Sequence, residues 1–514
     1  MTDTARASKS RRAGGRKARH ALRAAAPSRD RRPIRPGLAG GQYTPLSGDD
    51  IAGIHAAALQ VLDEIGLADA PQSGITAMKR VGVVLGDDGR LRFPAQVIET
   101  ALPQTTRDLT LHGRDPDHDL ILSGANVHYG TAGAAVHLVD GVTGAYRDST
   151  LTDLRDAALL VQSLENVHFF QRPMVARDIT DNRLLDLNTI YASASGTTKH
   201  IGTSFVEASH VHDAVPMLHC LAGSEVGWLT RPFVLQSNCF VVPPLKFATE
   251  SCEAMEAAIK VGMPVLLLSA GQAGATAPVT LAGAVVQAVA ECLAGLVYVH
   301  AISPGHPTVF GTWPFVSDLR TGAMSGGSGE QALLTGACAQ MHHFYGLSGG
   351  AAAGIADSKL PDMQAGWEQA ISNVMAGLSG LNMVYEAVGM HASLLGFCHE
   401  SLILGDDMLG QALRCVRGIE VNDDTLGIEA MRATCLGGPG HYLGSAETLA
   451  RMERDYVYPN LADRTSPGEW EQNGAPDLVQ KAALRKADIL SQARSQIPPD
   501  QDRWIRDRYD IVLP

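Results

Sequence analysis

The chain has 514 residues, 45% of them apolar, 19% charged and 5% aromatic, and its formal net charge is −12. That length can bury a large core without disulfide or metal staples, and no uninterrupted apolar run reaches the ~18 residues of a membrane helix. The acidic body argues against a nucleic-acid partner.

The charge is uneven. Residues 1–36 hold twelve Lys and Arg against Asp3 and Asp30, about +10, which leaves about −22 for the remainder. The stretch from Ser8 to His20 has almost no core-forming residues and reads as a disordered basic tail. It suits a solvated arm, a docking arm for an acidic partner, or an Arg-rich transit peptide, although Gly14-Gly15 would spoil an amphipathic helix. Residues 37–120 read as a small mixed or helical region. Its first helix, Asp49 to Ile65, places Ile51, Ile54, Ala58, Val61 and Ile65 on one face.

The pattern then changes to alternating short apolar runs and amphipathic segments. Strands are predicted at Val127–Tyr129, Val167–Gln171, His200–Phe205, Phe233–Val241, Pro264–Ser269, Thr308–Thr312, Gly346–Ala353 and Met383–Ala387. Helices are predicted between most of them, at Leu151–Leu164, Leu184–Ser195, Ser209–Leu221, Thr249–Val261, Thr280–Tyr298, Glu330–Phe344 and Met363–Leu381. Such alternation predicts an α/β fold, a TIM (β/α)8 barrel over residues 121–440. Residues 441–514 read as a charged, helical C-terminal extension. The eight cysteines are scattered, form no C-x-x-C pair and sit mostly in apolar segments, which suits a reducing cytoplasm.

One stretch is richer in polar chemistry than a connector needs. After the Gly-rich run Tyr345 to Ala353 come Asp357, Ser358, Lys359, Asp362, Gln364 and Glu368 within 12 residues. Strand-end loops of α/β barrels are where such residues collect. No metal site is expected: His342-His343, His391 and His399-Glu400 lack an H-E-x-x-H or a Cys pair at ligand spacing. Gly322 to Gly329 lacks the Lys-Ser/Thr of a phosphate loop and reads as a mobile loop.

The order of signals resembles the trimethylamine methyltransferase family of corrinoid-dependent enzymes. The matching runs are Tyr129-Gly-Thr-Ala-Gly133, Asp140-Gly-Val-Thr-Gly144 with Arg147, Thr198-Lys-His200, and Gly274 to Gly283 with Glu291. They continue with Pro304-Gly305 and Pro307, Asp318-Leu-Arg-Thr-Gly322 with Glu330, Tyr345-Gly346, Asp357 to Gly366, and Gly437-Gly-Pro-Gly-His-Tyr-Leu443. The resemblance covers residues 37–510. It implies transfer of a methyl group from a methylated amine to cobalt(I) of a separate corrinoid protein, with no tightly bound cofactor on this chain. Archaeal members acting on trimethylamine carry pyrrolysine. This sequence has none, so it is similar to the pyrrolysine-free branch that demethylates quaternary amines such as glycine betaine.

Elementary chemistry favours the same donor. A quaternary ammonium already carries its positive charge and leaves as a neutral tertiary amine, so no general acid is needed, and the protein chiefly positions and desolvates. A cation without N–H groups is held by aromatic faces and by carboxylates. Tyr129, Phe205, Trp313, Phe315, Tyr345 and Tyr385 are the aromatic candidates, Trp313 and Tyr129 foremost. Asp357 leads the acidic ones, with Glu330 and Glu386. Lys359, Lys199, His200 and Arg320 are candidate donors to a substrate carboxylate, and Gln364 and Glu368 stand one helical turn apart. The partners expected are a corrinoid protein, a small quaternary amine and other copies of the chain in a homo-oligomer, with neither membrane nor nucleic acid. A different methylated amine or a sulfonium donor satisfies the same leaving-group argument, and a non-catalytic betaine sensor is the rival of another class.

Overall fold

The structure is a computed structural model that describes Arg32 and residues 34–514. The expected basic tail therefore falls almost wholly outside the described residues.

The centre is a nine-stranded sheet. Its strands are β1 (Leu38–Ala39), β2 (Asn126–Tyr129), β3 (Phe169–Gln171), β4 (His200–Thr203), β5 (Val234–Cys239), β6 (Val265–Ser269), β7 (Thr308–Thr312), β8 (Gly349–Ala352) and β9 (Met383–Tyr385). Their spatial order is β1-β2-β9-β8-β7-β6-β5-β4-β3. Every neighbouring pair is parallel except β1 against β2. Each predicted strand segment contains one of β3 to β9, and Val127–Tyr129 falls within β2, which begins one residue earlier at Asn126.

The helices between them are α1 (Leu151–Ser163), α2 (Asn182–Gly196), α3 (Ala208–Leu221), α4 (Thr249–Lys260), α5 (Leu281–Ile302), α6 (Gly329–Tyr345) and α7 (Met363–Leu378), and α8 (His399–Arg417) follows. Local chemistry sets their ends. Thr150 forms a capping box for α1, and Asp181, Thr280, Ser328 and Asp362 accept backbone N–H bonds at the starts of α2, α5, α6 and α7. Gly346, left-handed at φ 63°, ends α6. All five residues of β6 are buried, as a parallel strand covered on both faces requires.

The α/β class and the strand–helix alternation are as expected. The sheet curls into a mostly parallel half-barrel. Between β2 and β3 the ladder gives way to one bridge pair, Gly130 with Phe169. His168 N also donates to Tyr129 O there, at 2.6 Å.

α5 has 22 residues and is long and apolar enough, by length and composition, to cross a membrane. Gln287 and Glu291 keep it from being an uninterrupted apolar run of ~18 residues. Within the protein, 83% of its apolar window is buried, and the N-terminal helix Gly48–Gln60 packs on it.

Two compact units are distinguished. The larger comprises Pro36–Gly418 with Pro459–Pro514, and Ile419–Tyr458 belongs to the smaller. The latter segment carries helices Ile428–Cys435 and Ala446–Asp455 and the ion pair of Arg454 with Glu420 at 2.6 Å.

Close packing of α7 on the sheet rests on a glycine. A Cβ on Gly377 would overlap the Tyr129 hydroxyl and stand 2.7 Å from Val416 Cγ2. That hydroxyl donates to Asn373 O at 2.9 Å in the same helix. Gly377→Ala gains ~1 kcal/mol of helix propensity but loses more through overpacking, at about 1–3 kcal/mol, and breaks this hydrogen bond. Net destabilisation and a lower melting temperature are expected in a thermal scan.

Candidate active site

Parallel pairing places residues of neighbouring strands in rows, and alternation decides which rows face inward. Gln171 pairs with Gly202 and Gly202 with Leu235. A Cβ on Gly202 would meet Gln171 Cδ at 2.9 Å, and Gln171 Nε2 donates to Ser237 Oγ at 2.7 Å. Gln171, Gly202 and Ser237 therefore share the lumen of the curled sheet, and Phe169 and Cys239 follow by period two.

Three rings gather on that face. Trp313, the first residue after β7, lies 4.9 Å from Tyr385 between ring centroids at 41°, and Phe169 lies 5.1 Å from Tyr385 at 70°. Glycines give them room: a Cβ on Gly350 would stand 2.6 Å from Tyr385 Cε2, and one on Gly130 would strike the Phe169 ring. Tyr385 closes β9 and Trp313 follows β7, at the C-terminal strand ends where ligands bind in parallel α/β sheets, and Phe169, which opens β3, meets the Tyr385 ring.

Beside Tyr385 is Glu386, which has φ +58° and is 2% exposed. Positive φ is costly for a residue with a Cβ and turns its side chain off the strand's alternation. Burial pushes its carboxyl up to about 8, and among the described residues no basic side chain acts against it. Among the described residues, Glu386 Oε2, Tyr385 OH, Trp313 Nε1 and Gln171 Oε1 are buried without hydrogen-bond partners. Buried polar atoms are normally paired, so an acceptor carboxylate, an acceptor amide and two donors around one aromatic cluster point to a ligand. Cys239 is exposed. Its thiol is pushed up to about 11, first by burial and then by the charges of Glu386 and Glu291. Behind the site, Glu291 of α5 accepts from Ser269 Oγ at 2.5 Å, Leu245 N at 2.8 Å and Gln287 Nε2 at 3.2 Å.

The polar stretch after β8 is a loop scaffold. Asp357 accepts from Ser325 Oγ at 2.7 Å, Gly326 N at 2.8 Å and Ser393 Oγ at 2.6 Å. It thereby ties the Gly-rich loop before α6, expected to be mobile, to two other loops. Glu368 accepts from Asp357 N, Ser358 N and Gln364 Nε2, and Ser358 Oγ donates to Asp362. Arg320 pairs with Asp318 at 2.6 Å. Lys359 is exposed and donates to Asp357 O at 2.8 Å. An exposed ammonium of this kind contributes ~1 kcal/mol or less, so Lys359→Ala should leave kcat/KM within about twofold in steady-state assays.

Other expected residues make contacts of their own. Glu330 is exposed in the first turn of α6, where an acid suits the helix dipole. Tyr129 points to α7 through its bond to Asn373 O. Phe205 is buried just past β4, and its backbone N–H donates to Gln236 Oε1 at 3.1 Å. Phe315 lies in the short strand Phe315–Val316 paired with Gln272–Ala273. Tyr345 ends α6, at the opposite end of the sheet, with its hydroxyl 3.0 Å from His55 Nδ1. His200 starts β4, donates from Nδ1 to His112 O at 2.8 Å, and is pushed down to about 4 chiefly by burial. The structure thus joins Trp313, Tyr385 and Glu386 with Phe169, Gln171 and Cys239, which the sequence reading did not select. Their signal was weak: a glutamine and a cysteine inside apolar strand segments.

Among the described residues, no group of three His, Cys, Asp or Glu is arranged to hold a metal ion.

Comparison with known proteins was made at three levels. The family model for trimethylamine methyltransferase (MTTB) matches residues 12–510. Glycine betaine methyltransferase of Desulfitobacterium hafniense (strain Y51) is 28% identical over 462 residues, covering 90% of this chain and 94% of that protein. Trimethylamine methyltransferase MttB of Methanosarcina thermophila is 28% identical over 461 residues, 88% of this chain and 94% of that protein. Among solved structures, dihydropteroate synthase from Xanthomonas albilineans, in complex with 7,8-dihydropteroate, matches with a TM-score of 0.35 and 12% identity, over 60% of this chain and 100% of that one.

Proposed function

The chain belongs to the trimethylamine methyltransferase family, and from that premise we propose that it moves a methyl group from a glycine betaine-like quaternary amine to cobalt(I) of a separate corrinoid protein. The observation that carries the reading is the Trp313–Tyr385–Phe169 cluster with Glu386 beside it. Aromatic faces hold a permanent cation, and a desolvated cation–π contact contributes ~2 kcal/mol or more. The unpartnered N–H of Trp313 and O–H of Tyr385 suit the carboxylate of a betaine. On this reading the curled sheet is a (β/α)8 barrel whose mouth admits the partner, which supplies a nucleophilic cobalt.

The chain's own part is positioning. The rings orient the ammonium, and burial strips water from it, so the methyl carbon is presented in line. The departing nitrogen takes the bond's electron pair and leaves neutral, so no side chain has to deliver a proton to it. The chain's cysteines are all free, which supports a reducing cytoplasm as its location, and homo-oligomeric assembly is part of the proposal.

A sulfonium or another methylated amine meets the same aromatic faces, and a betaine-binding sensor would need only the site. Calorimetric binding of glycine betaine, proline betaine, carnitine, choline, trimethylamine and dimethylsulfoniopropionate, followed by methyl transfer to a reduced corrinoid protein, separates these. Selective binding and demethylation of one zwitterionic quaternary amine is expected. Turnover of trimethylamine alone would overturn the assignment, and binding without transfer would leave a sensor.

A further inference from the structure

We infer that the lumen exchanges a proton for its methylammonium ligand: Glu386 is protonated in the empty protein and ionises as counter-ion when the cation arrives. This rests on the methylated-cation reading of the site and specifies how that site is charged.

Geometry carries it. Glu386 is 2% exposed, its Oε2 lacks a partner, and its φ of +58° turns it off the strand's alternation beside the Tyr385 ring. A carboxylate buried without a cation costs several kcal/mol, so the empty site holds the neutral acid. The ionisable groups around it do not relieve that cost. Tyr385 on its own strand is pushed up by burial. Cys239 of β5 is a thiol raised by burial and by the charges of Glu386 and Glu291. Glu291 of α5, farther off, is raised by burial and would only repel. The missing charge is positive, and the neighbouring aromatic faces are the surface on which a methylated cation settles.

The free carboxyl, at about 8, moves when that cation arrives. An opposite charge within ~4–6 Å lowers a carboxyl by roughly 1–3 units, which carries Glu386 across neutrality. Roughly 0.4–0.9 proton should then leave per ligand bound at pH 7. The ionised form binds better, so affinity rises with pH and levels off above about 8, by roughly 10- to 1000-fold in all. In the empty protein the sign is opposite. A carboxyl raised from 4.5 to about 8 makes stability fall as pH rises between those values, and the ligand reduces that loss.

The test is calorimetric titration of the full-length protein with glycine betaine at pH 6, 7 and 8, in pairs of buffers with different ionisation enthalpies. 3,3-Dimethylbutanoate, in which carbon replaces nitrogen, is the uncharged-head control. Net proton release with betaine and none with the control is expected, together with tighter betaine binding at pH 8. Glu386→Gln should bind betaine with no proton release and no pH slope. Betaine binding without proton release in the unaltered protein overturns this inference and leaves the proposed function standing. Failure of every methylated cation of the panel to bind at any pH overturns both.

Discussion

Trp313→Ala is expected to weaken binding of a quaternary ammonium by about 2 kcal/mol, roughly 30-fold, and to lower kcat/KM at least as much. The indole is 4% exposed and stands 4.9 Å from the Tyr385 ring, so its face is in a desolvated site where cation–π attraction is strong. The nitrogen makes a second, separable contribution. Trp313 Nε1 has no partner among the described residues, and a hydrogen bond to a charged acceptor is worth about 1.5–3 kcal/mol. Trp313→Phe keeps an aromatic face and removes the donor. It should therefore weaken glycine betaine roughly 10- to 100-fold while changing tetramethylammonium binding little. Equal losses for both ligands would show that the indole N–H does not meet the carboxylate. Retained affinity in Trp313→Ala would remove the aromatic cluster from the site.

Period and direction account for what was legible in the sequence and what was not. The strands β2 to β9 were visible because buried parallel strands are short apolar runs bounded by turn residues, and the helices between them keep a 3.6-residue period. Trp313 was visible because Gly and Pro neighbours place it on a strand-end loop, and Glu386 because it is an acid at the end of an apolar run. Phe169 and Gln171 belong to a strand of three residues, too short for alternation to say which side faces inward. The stretch from Asp357 to Glu368 misled for a different reason. A loop that must satisfy its own backbone needs the same Asp, Ser and Glu as a catalytic site, and only the hydrogen bonds tell them apart. Tyr345 closes α6, and a helix returning to a parallel strand ends on the side away from the ligand-binding face. His200 opens β4 in register with Phe169, and its Nδ1 is engaged by His112 O. The Thr-Thr-Lys-His run entering β4 shows the strand start but not these contacts.

Lys199, from the same run, leads to the largest expected loss of stability. Its ammonium is buried and donates to Val161 O at 2.7 Å, Leu164 O at 2.6 Å and Val167 O at 2.5 Å. These carbonyls lie at and beyond the C-terminal end of α1, where a cation also meets the negative end of the helix dipole. Lys199→Met keeps the length of the side chain but removes the ammonium from Leu164 O and Val167 O, while Val161 O keeps the Leu164 N–H, and leaves the buried Asp406, raised to about 6 chiefly by burial, without the cation that lowers it. Breaking such an arrangement costs about 3–5 kcal/mol, read as a lower denaturant midpoint at pH 7. Lys199→Arg should not rescue it, because three acceptors around a point charge do not match a planar guanidinium. The pH dependence has a fixed sign. Burial lowers Lys199 from 10.5 to about 8, so between those values the unfolded chain binds more protons and this group makes stability rise with pH. The variant loses that rise. Its remaining folded fraction should turn over substrate with kcat/KM nearly unchanged, whereas a lysine that held the substrate carboxylate would raise KM and spare the denaturant midpoint.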